Sequence, residues 1–133
     1  MLVRVQAQRY AVAATRIVQV LPTLEWRTVP GTSRETLGLV DYHARPVPLV
    51  DLSLVLGGAP TPLSMGSRIL ILDGIRLGVL VEQVLGTWHR DPSGAAAPHD
   101  RPLDAPYLGP ILSDSGGMIQ HIEVDQLLAA YAS

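Results

Sequence analysis

Residues 37–52 read Leu-Gly-Leu-Val-Asp-Tyr-His-Ala-Arg-Pro-Val-Pro-Leu-Val-Asp-Leu, and their reading decides the fold. Two apolar runs, 37–40 and 47–52, flank a polar tip at 41–45. That pattern predicts two buried strands reversing through an exposed loop. The loop, with Tyr42 and His43 in it, is the first place to look for function.

Outward from this stretch, residues 68–86 repeat the logic: Ile-Leu-Ile-Leu, then Asp73-Gly74, then Leu-Gly-Val-Leu-Val. Asp-Gly between β-rich runs predicts a hairpin with a type I′ turn, because both central residues of that turn need positive φ. Residues 2–5 and 10–12 predict an opening hairpin across residues 6–8. Residues 13–19 place Ala14, Ile17 and Val18 at helical spacing and predict one or two helical turns, stopped by Pro22. A strand carrying Trp26 is expected over 24–29, a helical turn over 53–56 ended by Gly57-Gly58, and a loop over 59–66. After the second hairpin, residues 82–87 continue into Trp88. Residues 90–106 read as a long loop, 107–112 and 118–124 as strands around a turn at 113–117, and 125–132 as a helix with Leu127, Leu128 and Tyr131 on one face.

Eleven prolines and twelve glycines among short Val, Leu and Ile runs predict an all-β architecture, packed by aliphatics because Phe is absent. One domain is expected, since a chain of 133 residues can bury about two thirds of the surface it exposes when unfolded. The absence of cysteine excludes disulfides, thiolate zinc sites and cysteine nucleophiles. No apolar run approaches the roughly 20 residues that cross a bilayer, so a soluble chain is expected. The start of the chain lacks the features of a secretory leader, which favours the cytoplasm. The net charge is −2, and all ten basic residues are arginines scattered singly, which argues against nucleic-acid binding.

Small-apolar, Leu-Gly and acid-terminated strands recur in the same order about 70 residues on, which suggests two similar small barrels. Approximate halves 1–58 and 67–133 are the expected lobes, able to exchange strands.

These landmarks together resemble the CheW family of chemotaxis coupling proteins. The residues that carry the resemblance are Tyr10-Ala11-Val12, Val29-Pro30-Gly31, Gly38-Leu39-Val40, Pro48-Leu49-Val50-Asp51-Leu52 and Gly78-Val79-Leu80-Val81-Glu82-Gln83-Val84. No single one of them is specific, but five in order are, and they span essentially the whole chain. The resemblance implies two five-stranded SH3-like barrels with short helices, one of them at the C-terminus, and no catalysis or cofactor. Its implied partners are the regulatory domain of a CheA-type histidine kinase and the cytoplasmic tip of a methyl-accepting chemoreceptor, at membrane-associated arrays. It also implies an apolar groove between the barrels, at Ala14, Ile17, Val20, Val81 and Val84. Two departures bear on partner choice: His43 stands where the family has an arginine, and Gln19 where an acid is common. An imidazole cannot make the bidentate, permanently charged contact of a guanidinium.

Each candidate has a plain structural reading beside the functional one. His43 is either a partner contact or a solvated loop histidine. Asp51 and Glu82 follow apolar runs and read as caps of the next turn before they read as a carboxylate pair. Ile17, Val20, Val81 and Val84 serve as core or as groove wall, and Trp26 and Trp88 as packing or interface anchors. His89, His99 and His121 lack metal-ligand spacing. Neither a nucleophile elbow nor a phosphate loop occurs. Two alternatives stay open: a paralogue serving type IV pilus motility or another chemosensory pathway, and a small β-barrel binding protein or enzyme subunit using His43 and Asp51.

Overall fold

The computed structural model describes residues 1–23, 25–87, 106–114 and 116–132, without the side chain of Asp114. Trp88, His89, His99 and most of the expected 90–106 loop lie outside the described residues.

Among the described residues, ten strands form two five-stranded sheets. The first contains β1 (Leu2–Val5), β2 (Gln8–Ala11), β8 (Gln83–Gly86), β9 (Leu108–Asp114) and β10 (Gly117–Ile122), in the order β8-β1-β2-β10-β9. The second contains β3 (Ile17–Pro22), β4 (Thr36–Tyr42), β5 (Arg45–Asp51), β6 (Arg68–Leu72) and β7 (Gly78–Val81), in the order β3-β6-β7-β5-β4. The described residues also form two short α-helices, α1 (Leu52–Val55) and α2 (Val124–Tyr131). Each sheet takes strands from both halves of the sequence. The chain passes between the sheets at residues 12–16 and again at Glu82, the single residue separating β7 from β8.

The organising stretch forms the β4–β5 hairpin, with Tyr42 opposite Arg45 and a two-residue turn at His43 and Ala44. Their φ angles, 49° and 62°, are those of a type I′ turn, whose twist matches that of the strands it joins. The β1–β2 turn is built alike, from Gln6 at 55° and Ala7 at 63°. The Asp73-Gly74 hairpin exists as β6–β7, but its turn differs from the expected one. Leu72 N–H donates to Leu77 O across a longer loop, and the positive φ values fall on Gly74 and Ile75. A loop of residues 73–76 accommodates Asp73 at negative φ, so the type I′ constraint never applies there.

The helix expected over 13–19 is corrected. Only Ala14–Arg16 make a 3-10 turn, and Ile17 begins β3. Branched Ile17, Val18 and Val20 suit a strand, two turns of isolated helix are not self-sustaining, and pairing with β6 satisfies the backbone of both strands. The strand expected at 24–29 is reduced to one bridge, Arg27 with Leu39. Gly38, at φ 148°, permits that approach, since a Cβ there would stand 1.9 Å from the Arg27 carbonyl oxygen.

Two cores result. One lies between the sheets and combines Val3, Val5 and Tyr10 of the first with Leu70, Val79 and Val81 of the second, sealed by Leu52 of α1 and Leu127 of α2. The other lies within the second sheet, around Val40, Val47, Leu49, Ile69, Ile71 and Leu80. Central strands β6 and β7 are buried on both faces, which is why they read as unbroken apolar runs. The edge strands β3 and β4 of the second sheet meet through a side-chain bond, in which Tyr42 Oη donates to Gln19 Oε1 at 2.5 Å. The sheet curls far enough to bring its own edges together, as an SH3-like sheet does.

Candidate functional site

Both passages of the chain between the sheets carry predicted groove residues. Ala14, Ile17 and Val20 lie at or just after the first, and Val81 and Val84 on either side of the second. Ile17, Val20 and Val84 are half-buried against the core that the sheets share, and Ala14 is exposed. Val81 is fully buried in the core between the sheets, so it is not available as a surface contact. Val18, 49% exposed, adds an apolar group to the same strand. The helical reading of 13–19 concealed it, because that reading turned Val18 toward the core alongside Ile17.

The tip residues form a second group. Tyr42 is buried, its hydroxyl held by the exposed Gln19. His43 is exposed and meets the Tyr42 ring edge-on, with centroids 4.4 Å apart. The left-handed backbone of the turn fixes where the imidazole projects. The two positions that depart from the resembled pattern, Gln19 and His43, thus flank one tyrosine across the seam of the second sheet.

Asp51 belongs to neither group. It is buried at the junction of β5 and α1, where Oδ1 accepts from Ser53 N–H at 3.0 Å and Oδ2 from Thr61 N–H at 2.8 Å, with Thr61 Oγ1 also donating to Oδ1. It therefore caps α1 and pins the following loop. Glu82 accepts from Gln6 N–H at 3.2 Å and ties the β1–β2 turn to the crossing. His43 and Asp51 stand at opposite ends of a seven-residue strand, on the order of 20 Å apart. They share no pocket. Among the described residues no cluster of His, Asp and Glu could hold a metal ion.

Sequence reasoning missed Arg16. Its Nε donates to Asp73 Oδ2 at 2.6 Å and its Nη2 to Asp125 Oδ1 at 2.6 Å. Asp73 belongs to the β6–β7 loop and Asp125 to α2, so one guanidinium at the first crossing ties a loop of the second sheet to the C-terminal helix. Its hydrogen bond and charge hold the Asp125 carboxyl below its ordinary range. Partners 57 and 109 residues away leave no local signal in the sequence.

The chain matches the family model for the CheW-like domain over residues 1–132. It is a member of the CheW-like domain family. The scaffolding protein TtCheW from Thermoanaerobacter tengcongensis has a similar structure, with a TM-score of 0.78 at 21% identity, covering 91% of this chain and 85% of that one. None of the curated proteins matches. CheW-like proteins are non-enzymatic scaffolds of chemotaxis signalling. No helix among the described residues of this CheW-like chain is long and apolar enough to cross a membrane.

Proposed function

We propose that this CheW-like chain couples the cytoplasmic tip of a chemoreceptor to the regulatory domain of a CheA-type histidine kinase, within receptor arrays. The observation that carries the reading is that Ala14 and Val18 are exposed and Ile17, Val20 and Val84 only half-buried at or near the two passages between the sheets. Apolar groups exposed beside a rigid core mark a partner site. These residues suit the apolar stripe of a receptor helix, and the Gln19–Tyr42–His43 seam suits a polar, partner-selecting contact. Coupling then works through affinity: the adaptor transmits a receptor's state to the kinase only as far as it binds the two states differently.

Calorimetric titration against the regulatory domain of each CheA-type kinase of the same organism tests the reading. One kinase should bind, and its identity assigns the pathway, whether swimming, pilus motility or another output. Ala14→Glu and Val18→Asp place a charge among these apolar residues and should weaken receptor-tip binding at least about tenfold with the fold intact. His43→Arg should raise affinity where the partner presents a carboxylate. Failure of the unmodified chain to bind any kinase or receptor tip overturns the proposal.

A further inference from the structure

The loop between α1 and β6 ends in a turn that its own side chains hold in shape. Ser64 N–H donates to Ser67 Oγ at 2.8 Å, Gly66 N–H to Ser64 Oγ at 3.2 Å and Ser67 N–H to Ser64 O at 3.1 Å. Arg68 Nη1 donates to the carbonyl oxygens of Met65 at 2.7 Å and of Ser67 at 2.8 Å. A turn tied this closely nevertheless displays Leu63, 58% exposed, and Met65, 97% exposed. Leu63 lines a cavity of about 390 Å³ with Thr23, Glu25 and the half-buried Trp26. The exposed Glu25 therefore stands at the Leu63 end of the apolar pair, and Arg68 at the Met65 end. Neither of them forms an ion pair with the other or with any other described residue.

We infer that this face is a two-fold contact between two copies of the chain. Acid, two apolar groups and base follow one another across it, and a two-fold axis reverses that order, so the face is its own complement. Met65 of one copy enters the cavity beside Leu63 and Trp26 of the other, where an unbranched thioether adapts to an irregular space. Arg68 of one copy meets Glu25 of the other, and the symmetry makes that pair twice. A handful of residues is well short of the roughly 20 that each side of a stable interface contributes, so the dimer is transient and forms at high concentration. Pro22 lies opposite Arg68 in the β3–β6 register, at the far end of β3 from Ile17. The contact is thus separate from the residues assigned to receptor and kinase and does not depend on the adaptor reading.

The test is sedimentation velocity of the full chain over a series of concentrations. The sedimentation coefficient should rise with concentration toward that of a dimer, and Met65→Ser, a change on a side chain in full contact with water, should stay monomeric. Arg68→Glu and Glu25→Arg each set like charges against each other at both symmetric positions, and each should weaken self-association about tenfold. An equimolar mixture of these two variants should recover it, because every mixed dimer then contains two opposite-charge pairs. Such recovery also shows that Arg68→Glu, which gives up its bonds to the turn, has folded. A chain that stays monomeric at every concentration overturns the inference and leaves the face to a different protein. It is equally overturned if Met65→Ser associates as the unmodified chain does, or if the mixture associates no more tightly than either variant alone.

Discussion

At the scale of the residue, Asp51 shows how a strand end becomes a fixed point. Its buried carboxylate receives bonds from Ser53 N–H, Thr61 N–H and the Thr61 hydroxyl, so α1 and the loop after it depend on one side chain. Asp51→Ala leaves those donors unsatisfied in the interior and should cost about 2–3 kcal/mol, read as a lower urea midpoint with an unchanged m-value. His43 and Ala44 pose the opposite case, two non-glycine residues held at positive φ. Ala44→Gly should stabilise the chain by about 1 kcal/mol, because the left-handed conformation that strains alanine is free to glycine. The sequence placed a reversal within 41–45, but the exposed loop it implied shrinks to His43 and Ala44, with Tyr42 buried at the end of β4, and it assigned the type I′ turn to Asp73-Gly74 instead. Dipeptide preference reports what a turn tolerates, whereas the strand register decides how many residues the turn contains.

At the scale of the element, β3 illustrates the limit of local pattern. Ala14, Ile17 and Val18 have helical spacing, but the unpaired edge of β6 offers the same backbone five register partners, and the strand forms instead. Only Ala14–Arg16 remains coiled, and that turn aims Arg16 at Asp73 and Asp125. The clasp has a definite pH dependence. The Asp125 carboxyl titrates below its ordinary value, so the clasp contributes fully above the unfolded carboxylate range of about 4 and is lost as pH falls through the lowered folded value. Thermal melts of the wild-type chain and of Asp125→Asn should therefore differ near neutrality and converge in strong acid. Equal separation at both pH values would show that Asp125 acts through something other than its charge.

At the scale of the whole molecule, the core between the sheets is common property. Val81 is fully buried among side chains from both sheets and both helices, so its truncation is felt on either side. Val81→Ala should cost roughly 2 kcal/mol, and tryptophan fluorescence and far-UV circular dichroism should report one coincident transition. Separate transitions would mean that the sheets unfold independently. Val18→Asp, by contrast, should leave stability within about 0.5 kcal/mol, because Val18 is half in solvent.

The sequence by itself determined the all-β character, the β4–β5 and β6–β7 strands, both short helices and, through five ordered motifs, the family. Each of these rests on contiguous residues, where apolar runs, turn formers and caps act over a few positions. Tertiary structure alone decided which strands share a sheet, that residues 17–22 are extended, that Val81 is fully buried while Val18 is exposed, and that Arg16 ties the β6–β7 loop to α2. These depend on what each residue meets tens of residues away, and the free energy of a strand edge or a charge is set by that partner rather than by its neighbours in the chain.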